Sequence, residues 1–271
     1  MADAFTQFEH EGWQRVANRY DSVWASSTRQ FIPPLLDALE LSAGMSILDI
    51  GSGPGYVSAA AIERGAHATG LDFSREMIAV ARKMFPKIEF KEGDAQNLPF
   101  ADASFDRAVA NFALLHLADP ERAISEAHRV LKPGGKFGFT VWAPPRESPY
   151  AKLIDDALAA HENLDVDLPE GPPHYLFADR EKFREALERA GFDGDSMIYR
   201  LHTIEWKVPT SQFVFDAERN AGVRTAGLLA RQTPEALSAI QSAIERSVRA
   251  FAKGEGFAVP KAAFVIAVTK T

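Results

Sequence analysis

The chain contains no cysteine in 271 residues, which excludes disulfides, thiolate metal sites and cysteine nucleophiles. It has no apolar run approaching the ~20 residues of a transmembrane helix. Residues 1–16 carry Asp3, Glu9 and Glu11 with no basic start and no long apolar core, so they do not read as a signal peptide. Positive charge is not in surplus: 30 Lys and Arg stand against 37 Asp and Glu, a formal net charge of −7. A broad basic surface for the phosphates of a nucleic acid is therefore not expected. No pair of histidines or carboxylates has metal-ligand spacing, and there are no repeats or low-complexity tracts. These absences lead us to expect a cytoplasmic protein with no membrane span, no nucleic-acid partner and no metal. Its 46% of hydrophobic residues can supply a sizeable core.

The most informative segment is Ile47-Leu-Asp-Ile-Gly-Ser-Gly-Pro-Gly55, an apolar strand running into a glycine-packed turn ahead of a helical stretch. Glycine lets the backbone turn tightly and approach a ligand, because no Cβ intervenes. A helix start beyond the turn offers free N–H groups and a positive dipole end. A dinucleotide turn wants G-x-G-x-x-G/A, and its third small position falls here on Tyr56, which is too large for close helix–strand packing. An NAD(P)-dependent oxidoreductase is the alternative that this spacing argues against.

A second strand, 68–74, ends at Asp72. An acid about 20 residues past such glycines can accept hydrogen bonds from both ribose hydroxyls. The competing role is to cap the helix from Arg75, but Ser74 already suits that position. Further strand-like runs at 87–93, 105–111 and 136–141 alternate with helical stretches such as Pro120 to Leu131. That alternation predicts βαβ units and a parallel sheet.

The set ILDIGSGPG, GLDFS, GDAQNLPF, FDRAVANFALLHL and LKPGG, covering residues 43–143, resembles class I S-adenosylmethionine-dependent methyltransferases. The likeness is to the subgroup of the ubiquinone/menaquinone C-methyltransferases (methyltransferase type 11). The resemblance implies S-adenosyl-L-methionine as cofactor. It implies an α/β, Rossmann-like, seven-stranded sheet of order 3-2-1-4-5-7-6, with the last strand antiparallel and helices on both faces. By position it implies that Gly51, Ser52, Gly53 and Gly55 meet the methionine part of the cofactor. Asp72 would hold the ribose, and Asp94 and Ala95 would read the adenine between Phe73 and Met77. Asn111 and Phe112 would line the methionine end, and Tyr20 is a candidate contact from the leading segment.

The remaining segments are where an acceptor could be recognised, within one domain spanning 1–271. Residues 1–42 read as a helical cap on the 43–143 core, with Trp13, Val16, Tyr20 and Trp24 at helical spacing. Pro33 and Pro34 fit the first turn of a helix ending near Leu41. Segments 144–180 and 209–256 read as substrate-side insertions. Arg180 to Ala190 is an amphipathic helix stopped by Gly191, while 196–206 and 262–269 read as the last two strands. Between them, 210–222 and 234–253 are helix-like, forming a helical insertion that could be a lid, a layer or a dimer contact. Phe213, Val214 and Phe215 are adjacent rather than face-spaced, so at least one of them is expected to point toward a pocket.

Methyl transfer needs a general base only if the attacking atom must lose a proton. His174, in a crevice-side loop, and His10, beside Glu9, are the candidates, whereas His116 reads as structural. Glu76, Glu121 and Glu126 read as solvated helix faces. The expected function is methylation of a small, apolar or aromatic metabolite. A sensor or scaffold that binds the cofactor without transfer is the alternative from another class.

Overall fold

A computed structural model describes residues 3–163 and 165–271. The apolar runs form strands β1 (Ser46–Ile50), β2 (His67–Asp72), β3 (Glu89–Glu92), β4 (Phe105–Asn111) and β5 (Leu131–Trp142). Then come β6 (Phe192–Val208), the two-residue β7 (Ala252–Lys253) and β8 (Gly256–Lys270). The sheet order is β3-β2-β1-β4-β5-β8-β6, with β7 pairing β8 off this path. β1 to β5 are mutually parallel, and β8 is antiparallel to both of its neighbours. With the short β7 set aside, this is the order the resemblance implied.

Helices α1 (Ala4–Val23), α2 (Ala25–Thr28) and α3 (Ile32–Ala38) precede the sheet. Three more, α4 (Tyr56–Glu63), α5 (Arg75–Met84) and α6 (Pro120–Val130), belong to the crossovers. They are followed by α7 (Pro149–His161) and α8 (Arg180–Arg189), then by α9 (Gln212–Ala221), α10 (Arg224–Leu229) and α11 (Pro234–Val248). Asp3, Ser74, Asp119, Ser148, Asp179 and Thr233 each cap a helix by accepting from a backbone N–H three residues on. Each such cap contributes about 1 kcal/mol.

The pleat divides the strands between two cores. Ala108, Ala110, Phe264 and Ile266 bury against Ile124 and Ala127 of α6 and Phe183 and Leu187 of α8. Val109, Ala263 and Val265, the residues between, bury against Leu35 and Leu36 of α3 and Val57 and Ala61 of α4. A strand buried on both faces is apolar on both, which is why Ala108-Val-Ala110 of β4 and Ala262-Ala-Phe-Val-Ile-Ala-Val268 of β8 read as continuous runs rather than alternating ones.

The last hairpin is longer than 196–206 and 262–269. β8 pairs with β5 only from Ala263 to Thr269 but continues along β6 as far as Phe257. Pro260 sits on this projecting arm opposite Glu205, where no β5 backbone needs the N–H it lacks. The arm is stabilised by the insertion. Trp206, Val208 and Val259 join Ile154 of α7, Phe215 of α9 and Ile240 and Ile244 of α11 in a third core, with Trp24. Val214 and Phe215 are core there and Phe213 packs against it; none of the three lines the cavity described below, contrary to expectation. Helical spacing required one face of α9 to bury, and that face enters the core it shares with α7 and α11. Glu126 is also not solvated: it is 5% exposed, and its Oε2 accepts from Leu98 N and from Arg129 Nη2, both at 2.8 Å.

Candidate active site

The turn after β1 is left-handed at each glycine, with φ of +66° at Gly51, +50° at Gly53 and +87° at Gly55. A Cβ on Gly51 would stand 2.4 Å from the Ala113 Cβ, and one on Gly55 would stand 2.5 Å from the Phe90 ring. These two glycines are needed for packing. At Gly53 nothing lies within 4 Å of that position, so this is where the backbone faces open space. Accordingly Gly51, Ser52 and Gly53 line a cavity of about 1000 Å³, while Gly55 does not.

Two buried carboxylates support the turn. Asp72 Oδ2 accepts from Gly53 N and its Oδ1 from Ser74 N, each at 2.8 Å. Ser74 itself caps α5 through Met77 N, so Asp72 is not the cap but the tie between glycine turn and second strand. Burial pushes its pKa up to about 6, against the lowering effect of those two bonds. Asp49 Oδ2 accepts from the amide and the hydroxyl of Ser58 at 3.0 and 2.7 Å. Its Oδ1 is buried without a partner among the described residues, as is the Ser52 hydroxyl. Burial brings the Asp49 pKa up to about 7.

Tyr20, Phe73, Met77, Asp94, Ala95, Asn111 and Phe112 line the same cavity. Thus every residue singled out for the cofactor except Gly55 converges there. The Tyr20 hydroxyl donates to Thr28 Oγ1 at 3.1 Å, and burial holds its pKa up at about 12. At the end of β4, Phe112 adopts a φ of +59°, uncommon for a bulky residue. It is secured by its N–H to Thr140 Oγ1 at 2.9 Å, and the Thr140 hydroxyl donates to Asn111 Oδ1 at 2.7 Å.

His10 and His174 also line the cavity, at different places. The His10 ring meets Phe73 edge-on at 5.4 Å, on the side of Asp72. His174 stands edge-on to Tyr175 at 4.8 Å. Protein surrounds its ring, although its free surface is that of an exposed residue because it looks into the cavity. Burial pushes its pKa down to about 4 and keeps it neutral. His116 is held by the fully buried Glu9, whose Oε2 meets His116 Nδ1 at 3.0 Å and accepts from Trp13 Nε1 at 3.1 Å.

Beyond Asn111 and Phe112 the cavity is walled by residues that no motif marked. These include Tyr150 and Asp155 of α7, Glu218 of α9, Arg224 of α10, Trp142 and Lys261. The Tyr150 hydroxyl bonds to Glu218 Oε1, and the Tyr175 hydroxyl to Asp155 at 3.2 Å. Only Lys261 had a signal in the sequence: it is a lone charge in the run Ala258-Val-Pro-Lys-Ala-Ala-Phe-Val-Ile-Ala-Val268. Among the described residues no group of three or more His, Asp or Glu could hold a metal ion.

A parallel sheet, a left-handed glycine turn at its carboxyl edge and an acid closing the second strand define a Rossmann-like binder of a nucleoside cofactor. A family profile described as a methyltransferase domain matches residues 48–139. The demethylmenaquinone methyltransferase of Renibacterium salmoninarum is 34% identical over 199 residues, covering 70% of this chain and 80% of that protein. That of Paenarthrobacter aurescens is 36% identical over 134 residues, covering 48% of this chain and 53% of the relative, about half its length. Among solved structures, the 4+2 cyclase SpnF matches with a TM-score of 0.60 at 21% identity, covering 100% of this chain and 98% of that one.

The chain belongs to the class I S-adenosylmethionine-dependent methyltransferases. S-adenosyl-L-methionine is its cofactor, and the residues present fit it. Unpartnered acceptors at Asp49 Oδ1 and Ser52 Oγ, and the open approach at Gly53, lie where a polar amino-acid end can be met.

Proposed function

We propose that this chain methylates a small apolar or aromatic metabolite, with Asp72 accepting from the ribose hydroxyls, Asp94 and Ala95 reading the adenine and Phe73 and Met77 flanking it. Gly51, Ser52 and Gly53 then carry the methionine part, with Asn111, Phe112 and Tyr20 around its reacting end. The bound cofactor supplies an electrophilic methyl group on a sulfonium sulfur. The protein's share is alignment and exclusion of water, which can supply much of the acceleration of a displacement. Trp24, Trp142, Ile154, Leu158 and Leu228 give the acceptor side its apolar walls. Segments 144–180 and 209–256 are its substrate-side parts in this reading. His174 serves as a wall group, since a base whose conjugate acid is pushed down to about 4 by burial is weak near neutrality; His10, edge-on to Phe73 in the cavity lining, is the remaining candidate base.

One observation carries the proposal: the cavity does not end at the cofactor residues but continues into a room between α7, α9 and α10. A protein that only sensed the cofactor would need no such room. The net charge of −7 favours a small molecule over a nucleic acid as acceptor, and a cytoplasmic location belongs to the same proposal. The test is to incubate the protein with methyl-labelled cofactor and a host metabolite extract and to identify the labelled product. Binding of S-adenosylhomocysteine with no label transferred to any metabolite would instead establish the non-catalytic binder.

A further inference from the structure

Lys261 of β8 is 2% exposed, and its Nζ donates no hydrogen bond to any described residue. It is surrounded by aromatic faces. Nζ lies 4.0 Å from the ring centre of Trp142, 4.2 Å from Tyr150, 4.5 Å from Trp24 and 5.1 Å from Trp206. These rings are themselves fixed. Trp24 Nε1 donates to Ala221 O at 2.9 Å, Trp206 Nε1 to Ser26 Oγ at 3.1 Å, and Tyr150 to Glu218. Trp142 stacks on Phe112, with ring centroids 3.8 Å apart. The amine is therefore one ring removed from the strand end where the proposed transfer occurs, and it borders the same cavity.

π faces attract an ammonium but offer it no hydrogen-bond acceptor. Burial accordingly lowers the Lys261 pKa to about 7, with the Glu218 carboxylate acting in the opposite sense. The other charged or titratable groups facing this space are Tyr150 and Asp155 of α7, His174 and Tyr175 of the loop between α7 and α8, Glu218 of α9 and the cationic Arg224 of α10. Across the sheet, Lys261 pairs with the apolar Ile204 of β6. Such an amine can exist in either protonation state near neutrality, and a polar substrate atom entering the cavity would be the hydrogen-bond partner that the protein does not give it.

We propose that Lys261 ionises the acceptor: its amine takes the proton of a phenol or enol hydroxyl, and the ammonium formed holds the oxyanion. This rests on the methyl-transfer reading and adds the class of acceptor to it. The O–H bond breaks and an N–H bond forms on Nζ. The electron pair left on the acceptor, at oxygen or at its conjugated carbon, makes the new bond to the methyl carbon. The pair of the breaking S–CH₃ bond stays on sulfur, and Lys261 returns its extra proton to solvent when the product leaves. An amine acceptor, itself an ammonium near neutral pH, is disfavoured beside a second ammonium.

The probe is para-nitrophenol, whose visible phenolate band reports ionisation without any transfer. It is titrated into wild type and Lys261→Met holding S-adenosylhomocysteine, below the pH at which the free probe ionises. In wild type the bound probe should show the phenolate band, its midpoint lowered by roughly one pH unit by the neighbouring cation, whereas Lys261→Met should bind it as the neutral phenol. Equal spectra in both, or a wild type that fails to bind or to ionise the probe, overturn the proposal. If Lys261→Met does not fold, the wild-type midpoint against that of the free probe decides alone. Calorimetry with S-adenosylhomocysteine runs in parallel. Absence of cofactor binding there counts against the methyl-transfer reading, and probe ionisation in the free protein still tests Lys261.

Discussion

The ring of Phe112 stacks on Trp142 with centroids 3.8 Å apart and planes 18° from parallel, although Phe112 holds a left-handed φ of +59°. The stack therefore works against backbone strain of about 1–2 kcal/mol. Truncating a buried Phe costs about 3–5 kcal/mol. Phe112→Gly should lose the stack but relieve the strain, and Phe112→Ala should lose the stack and keep the strain. We expect both to be destabilised, with Ala below Gly by about 1 kcal/mol. Chemical denaturation measures the order, and Gly below Ala would show that the φ is not strained.

Asp72→Ala should weaken S-adenosylhomocysteine binding by roughly 1–3 kcal/mol if the carboxylate accepts from the ribose. An unchanged affinity in calorimetry would confine Asp72 to its bonds with Gly53 and Ser74.

Because the Asp72 carboxyl titrates near 6 and only its ionised form accepts from two hydroxyls, cofactor affinity should fall as pH drops through about 6. Asp72→Asn should bind weakly and lose that pH dependence. Parallel slopes in the two proteins would assign the effect elsewhere.

Asp49 bears on the stability of the free protein. Its pKa rises on folding from 3.8 to about 7 because of burial. The folded state thus prefers the neutral acid. This contribution is fully present below the unfolded value and is lost as pH rises through about 7. Asp49→Asn keeps an oxygen for Ser58 and cannot ionise. Its stability relative to wild type should therefore improve between pH 4 and pH 8, by on the order of 1 kcal/mol or more. Denaturation midpoints at the two pH values check this, and a constant difference refutes it.

The leading helix approaches the insertion through Gly12, where a Cβ would fall 2.3 Å from Val223 Cγ1. Gly12→Ala should destabilise by about 1–3 kcal/mol through overpacking, and Val223→Ala should recover part of that in the double variant. A simple sum of the two single effects would mean that the helix and α10 shift apart freely.

The half of the cavity beside the glycine turn was legible because its residues come in short segments whose spacing has local meaning. The turn from Gly51 to Gly55, Asp72 at a strand end, and Asp94 with Ala95 each follow a strand, and parallel strands bring their carboxyl ends to one edge. The misreadings share a cause. Gly55 looked like part of the ligand turn, but its missing side chain makes room for Phe90. Phe213, Val214 and Phe215 looked ambiguous because neighbouring aromatic residues do not say which face will be covered. Glu126 looked solvated because no local pattern shows that Leu98 N will meet its carboxylate.

By itself the sequence determined the sheet, its crossovers and the nucleoside edge, since these rest on periodicity, glycine and caps acting over a few residues. Tertiary structure alone decided the aromatic room beyond the glycine turn. Trp24, Trp142, Tyr150, Trp206, Glu218 and Lys261 lie on six separate segments and meet only when the β6–β8 arm folds beneath α7 and α9. A lysine in an apolar strand carries no chemistry until the rings around it remove its water.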